Sequence, residues 1–119
     1  MLDIAKTAVE AALAKGADYA DARINRTCEE SLALRNGDVA CAEAPEEFGI
    51  GLRVLQNGSW GFAAAPASAA EIAGVVPDLA RRAPTAARDL SAACAEPVKL
   101  AGEAGSVAEY ATPVEIDPF

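Results

Sequence analysis

Histidine is missing from all 119 residues of this chain. It is the side chain best suited to act as a base near neutral pH, and it is a common zinc ligand. The reactive types that remain are cysteines and carboxylates. Cys28, Cys41 and Cys94 form no Cys-x-x-Cys pair, and Cys41 and Cys94 sit in alanine-rich apolar stretches. A cysteine becomes a nucleophile beside a base or a positive field, so these three are expected to be small buried hydrophobes. Glu29-Glu30 and Glu46-Glu47 offer paired carboxylates. Neighbouring side chains point apart in an extended chain, which makes solvated loops or strand ends the better expectation for both pairs. Gly49-Ile50-Gly51-Leu52 resembles part of a phosphate loop. Such loops need a strand-to-helix turn, whereas these glycines sit in a strand that enters a hairpin, where a bulge or a close backbone approach is expected. Catalytic, cofactor-binding and metal-ligating residues are therefore all expected to be none.

The side chains left with a role are structural or adhesive. Trp60 follows a tight turn and can anchor a core or an interface; the core weighs more heavily, and Phe62 and Leu55 share the question. Arg35 and Arg53 lie on hairpin arms, where local pairing or solvation outweighs peptide recognition.

Composition narrows the classes of partner. Eighteen acidic side chains against ten basic ones give a net charge of −8. Nucleic-acid binders present a basic stripe; the tight basic pair here, Arg81-Arg82, suits the wet face of a helix. No nucleic acid and no membrane are expected as partners. The start of the chain, with Asp3 and no long apolar run, is neither a leader nor a span. An odd, scattered set of cysteines fits a reducing compartment, so the cytoplasm is expected.

The elements that would position these residues follow from periodicity. Ala5, Ala8, Val9, Ala12 and Leu13 line one stripe of a helix over about 2–15, closed by Gly16. Ala20, Ala22 and Ile24 alternate with polar residues, which predicts a strand over 18–27. Asn36-Gly37 and Asn57-Gly58 are type I′ turn pairs. They predict one hairpin with Leu34 facing Val39 and Leu32 facing Cys41, and a second with Leu55 opposing Trp60 and Arg53 opposing Phe62. Pro45 to Glu47 reads as a loop. Both faces of the second hairpin are apolar, so helices should cover one side and another domain or subunit the other. Ser68 and Glu71 have capping-box spacing ahead of a helix burying Ile72, Val76 and Leu79. Pro77 and Pro84 should bend or divide it before about residue 93. The core is expected to draw also on Tyr19, Leu32, Leu34, Val39, Phe48, Ile50, Leu52 and Val54. The result is an α+β domain: helix, antiparallel sheet of about four strands in two Asn-Gly hairpins, then a helical segment. Residues 1–94 form that domain, and 95–119 read as an extended connector.

Ordered segments give the chain a resemblance. They are Ala17-Asp18-Tyr19-Ala20-Asp21-Ala22-Arg23, Glu30-Ser31-Leu32 leading to Arg35-Asn36-Gly37, Gly49 to Val54, and Gly58-Ser59-Trp60-Gly61-Phe62-Ala63. In this order the chain resembles the N-terminal domain of the TldD/PmbA family, linked by an older label to DNA gyrase modulation. Tyr110 to Phe119 is similar to the junction into the larger C-terminal domain of the TldD branch. The resemblance implies a cytoplasmic, dimeric zinc metallopeptidase acting on unfolded peptides, with a His-Glu-x-x-x-His helix and a cysteine as metal ligands. None of that signature is present here, so no cofactor is expected in this piece and zinc is expected in the parent. This domain would help to build a homo- or hetero-dimer and the walls of the cleft, beside its own C-terminal domain. An exposed strand edge could align a peptide by backbone hydrogen bonds. A non-catalytic partner subunit and a stand-alone interaction module are the alternative readings.

Overall fold

The computed structural model describes residues 1–93, 97–99 and 105–111. Cys94 and most of the 95–119 connector lie outside the described residues. Helix α1 (Leu2–Ala14) ends as Gly16 predicts. Gly16 takes a φ of +92°; its N–H donates to the Leu13 carbonyl at 3.0 Å, and the Ala17 N–H to the Ala12 carbonyl at 3.3 Å. This pair of bonds is a Schellman motif, and it seats Ala17 beside Ala12 in the core. The buried stripe is Ala8 and Ala12, with Ile4 and Ala11 packed against the core. Leu13, expected inside, is exposed. The helix is rolled so that its small residues face inward.

Five strands follow: β1 (Tyr19–Cys28), β2 (Ser31–Arg35), β3 (Asp38–Glu43), β4 (Glu46–Gln56) and β5 (Ser59–Pro66). They divide into an antiparallel sheet of order β1-β4-β5 and a separate β2-β3 ribbon. β1 pairs with β4 along its whole length, from Tyr19↔Leu55 to Cys28↔Glu46, so β4 begins at Glu46, inside the expected loop. The ribbon extends from the far end of that pairing, and among the described residues it packs on no other helix or strand. Leu34 faces Val39 as expected, but Leu32 faces Ala42 and Cys41 faces Ala33. A bulge at Ala40 shifts the register by one residue and so undoes the expected pairing of Leu32 with Cys41. Leu32, Leu34 and Val39 are exposed, contrary to their expected place in the core, because none of the described residues lies over the ribbon.

Helix α2 (Ile72–Ser91) is one continuous helix through both prolines, not two. Its capping box is formed. The Glu71 N–H donates to Ser68 Oγ at 3.3 Å, while the Ser68 N–H and hydroxyl donate to Glu71 Oε2 at 3.3 and 2.7 Å. The hydroxyl bond above all holds the Glu71 carboxyl below the usual carboxylate range. Arg81 and Arg82 both pair with Asp78 on the wet face. The opposite stripe, including Ile72, Val76, Leu79, Ala80 and Ala83, is buried against α1 and one face of the sheet. That face supplies Ile50, Leu52, Val54 and Ala63.

The closest contact lies between α2 and β5. A Cβ on Gly61 would stand 2.1 Å from the Ala83 carbonyl oxygen and 2.6 Å from the Ala87 nitrogen. The helix backbone thus rests directly on the strand backbone. Gly61→Ala is expected to lower the stability by about 3 kcal/mol, as overpacking against unyielding atoms does. Gly74→Ala, in open space on the same helix, should raise it by up to about 1 kcal/mol. Urea unfolding of the two variants measures both. The cap carries a pH dependence. A lowered carboxyl pKa contributes stability that is full above the unfolded value and is lost as the pH falls through the folded one. Thermal melts of the native chain should therefore drop more steeply in acid than those of Glu71→Gln, whose amide still caps but does not titrate.

Candidate functional site

With helices on one face, the other face of the sheet is organised in cross-strand rows. Tyr19, Leu55 and Trp60 form the row beside the Asn57-Gly58 turn. The two rings meet edge to face at 5.8 Å between centroids, and Leu55, 4% exposed, is buried in the same row. In the next row Arg53 donates to Asp21 at 2.8 Å and sits 4.7 Å from the centre of the Trp60 ring. The bond and the charge of Asp21 together raise the Arg53 pKa. Phe62 completes this row and is 64% exposed.

Beyond Phe62 the centre of the face has no side chains. Gly51 and Gly49 of β4 form the floor of an open trough of about 440 Å³. Arg23 and Asn25 stand on the β1 side, and Ala64 and Pro66 on the β5 side. The β4 register is unbroken at both glycines, so they make no bulge. Close approach is their role at Gly51, where a Cβ would lie 3.2 Å from the Phe62 ring. At Gly49 the nearest atom to such a Cβ is 3.9 Å away, and the fold itself does not require the glycine.

The turn residues take the left-handed conformations that their types favour: φ is +55° and +86° at Asn36 and Gly37, and +53° and +76° at Asn57 and Gly58. The second turn is held from outside as well. The Asn57 N–H donates to Asp18 Oδ2 at 3.0 Å, and the Val98 N–H to the Gly58 carbonyl at 2.7 Å. A Cβ on Gly58 would collide with Pro97 at 2.2 Å, whereas Gly37 faces open space.

Among the described residues the groups able to do chemistry are dispersed. Cys28 and Cys41 are exposed, not buried as expected, because both lie where the strands run beyond the helices. A hydrogen bond to Glu43 pushes the Cys41 thiol up, away from thiolate chemistry. Glu46 pairs with Arg26 across the sheet, while Glu47 points to the opposite face. Arg35 is exposed at the ribbon tip. Among the described residues no three His, Cys, Asp or Glu side chains converge on a point that could hold a metal.

The family model described as PmbA/TldA metallopeptidase domain 1 matches residues 20–87, from β1 through most of α2. The chain belongs to this family. The matched span holds both hairpins, the trough and the Gly61 contact, and it leaves out α1 and everything after residue 87. No curated protein matches the chain. Among the described residues no helix is long and apolar enough to cross a membrane.

The aromatic row was not visible in the sequence. Trp60 and Leu55 face each other across a readable turn, but Tyr19 joins them through the long-range β1-β4 pairing. That arrangement separates the two exposed-face aromatics. Trp60→Ala is expected to cost about 2 kcal/mol, since it unroofs Leu55 and frees Arg53. Phe62→Ala should stay within about 0.5 kcal/mol. Urea midpoints of the two variants, compared with the native chain, check both.

Proposed function

We propose that this chain is the non-catalytic N-terminal domain of an intracellular zinc-dependent peptidase of the TldD branch, acting on unfolded peptides in the cytoplasm. The observation that carries the reading is the family match across β1 to α2. This chain has no histidine, so on this reading the metal and the hydrolysis belong to another part of the parent. The domain's work is then assembly and enclosure. The outer sheet face, with Trp60 and Phe62 beside a glycine-floored trough, suits the wall of a peptide cleft. The ribbon, with Leu32, Leu34 and Val39 uncovered, suits a contact in a homo- or hetero-dimer. A two-stranded ribbon standing alone is marginal in water, and burial of those side chains against a partner would stabilise it.

The parent, prepared with its full coding length, is expected to hold zinc and to cleave an unfolded substrate such as reduced casein, with loss of cleavage on chelation. The present chain alone should bind no stoichiometric zinc and cleave nothing. Casein hydrolysis by this chain, or a parent without zinc and without chelator-sensitive cleavage, would reject the assignment. In the second case the non-catalytic partner subunit becomes the better description.

A further inference from the structure

We infer that Pro97-Val98 is a releasable latch, which couples the residues after it to the aromatic row of the outer face through the Asn57-Gly58 turn. Asp18 and Pro97-Val98, on which the device depends, lie outside the span that matches the family. The latch is independent of the peptidase reading.

Two turns of one kind differ in what meets them. Asn36-Gly37 and Asn57-Gly58 share the same left-handed backbone. A Cβ on Gly37 would meet nothing within 4 Å, but on Gly58 it would stand 2.2 Å from Pro97 Cβ and 3.2 Å from the Val98 nitrogen. Gly58 therefore answers two demands: the positive φ of the turn and a seat for the proline. The Val98 N–H closes the seat by donating to the Gly58 carbonyl at 2.7 Å.

The same turn holds the aromatic row in place. The Asn57 N–H donates to Asp18 Oδ2 at 3.0 Å, and the Asp18 N–H donates to the Leu55 carbonyl at 2.8 Å. Tyr19 follows Asp18 directly, and Gly58 is separated from Trp60 by Ser59 alone. The two rings meet edge to face, and the Arg53 guanidinium lies over the indole. A movement of the turn thus reaches both rings and the guanidinium through bonded neighbours.

The latch is also light enough to open. Among the described residues, 97–99 make one backbone hydrogen bond, and Val98 is 41% exposed. One such bond favours the closed arrangement by only about fivefold. A competing contact made by the chain after Lys99 is enough to reverse that preference. Closed, the latch holds Trp60 against Tyr19 and Arg53; open, it loosens the row and changes the outer face from a distance.

Amide exchange read by nuclear magnetic resonance tests the latch in the 119-residue chain. The Val98 amide should exchange about fivefold more slowly than an open chain of its sequence. The Val107 amide, which donates to no described backbone group, should exchange freely. Val98→Pro removes the donor and puts a ring carbon where the bond ran. It lies outside every described helix and strand, so the far-ultraviolet circular dichroism spectrum should stay native. In that variant the Asn57 amide should exchange about fivefold faster, and the indole N–H resonance of Trp60 should move. Val98→Ala, which keeps the N–H, and Val107→Pro should leave both readings native. An unprotected Val98 amide in the native chain would overturn the inference. So would a Val98→Pro chain with native Asn57 exchange and a native indole resonance, or equal changes in Val107→Pro. Unfolding of Val98→Pro would overturn it as well, because a contact that holds the whole domain together is not a releasable latch.

Discussion

Everything in this domain is arranged around the bare contact between α2 and β5. At Gly61 the strand has no Cβ, and the backbone of α2 at Ala83 and Ala87 takes its place. The approach is possible because the facing helix residues are small: Ala80, Ala83 and Ala87 are fully buried along one stripe. A core rich in alanine buries little area per residue and gains correspondingly little from transfer out of water. It compensates by packing backbones close together, where dispersion contacts are dense. α1 follows the same rule, offering Ala8 and Ala12 and leaving Leu13 outside. The larger side chains, Ile50, Leu52, Ile72 and Leu79, then fill the space between the layers.

A sheet with its helices seated so tightly on one side has its other side left over, and the two halves of that side differ in kind. Near the Asn57-Gly58 turn the face builds a small core of its own. Leu55 is roofed by Tyr19 and Trp60, and Arg53 is fixed by Asp21 below and an aromatic ring beside it. Both partners of that ion pair are substantially exposed, so its value lies in orienting Arg53 more than in Coulomb energy. The connector adds a clasp on the same turn through Val98 and Pro97. Toward the ribbon, by contrast, the strands run on beyond the helices. There Gly49 and Gly51 take side chains away from the middle strand, and Cys28 and Cys41 stand in solvent. One end of the outer face is finished and the other is open.

Local chemistry made much of this readable before any coordinates. Asn-Gly pairs require positive φ at both turn positions, and that requirement sets Leu55 against Trp60 and Arg53 against Phe62. Gly16 and the Ser68-Glu71 box are equally local, and both helices begin or end where those residues dictate. What escaped the sequence depends on contacts distant along the chain. Nothing local tells that β1 pairs with β4 around an intervening ribbon, so Tyr19 could not be joined to Trp60. Hydropathy marked Leu32, Leu34 and Val39 as core, because an apolar face looks the same whether or not anything covers it. The bulge at Ala40 has no glycine or proline to announce it. Pro77 and Pro84 argued for a bent or divided helix, yet each removes only one hydrogen bond. The buried stripe from Ile72 to Ala87 holds the axis together across both.

The division between finished and open surface matters because among the described residues no three potential metal ligands converge. Catalytic groups need precise convergence, and the titratable side chains here are dispersed along exposed strands and helix flanks. The outer face is instead an open surface on a rigid scaffold, and the close seating of α2 supplies that rigidity. A glycine at position 49, where the fold alone would tolerate a side chain, supplies the space. Glycine inside a strand lowers stability by roughly 0.5–1 kcal/mol relative to alanine.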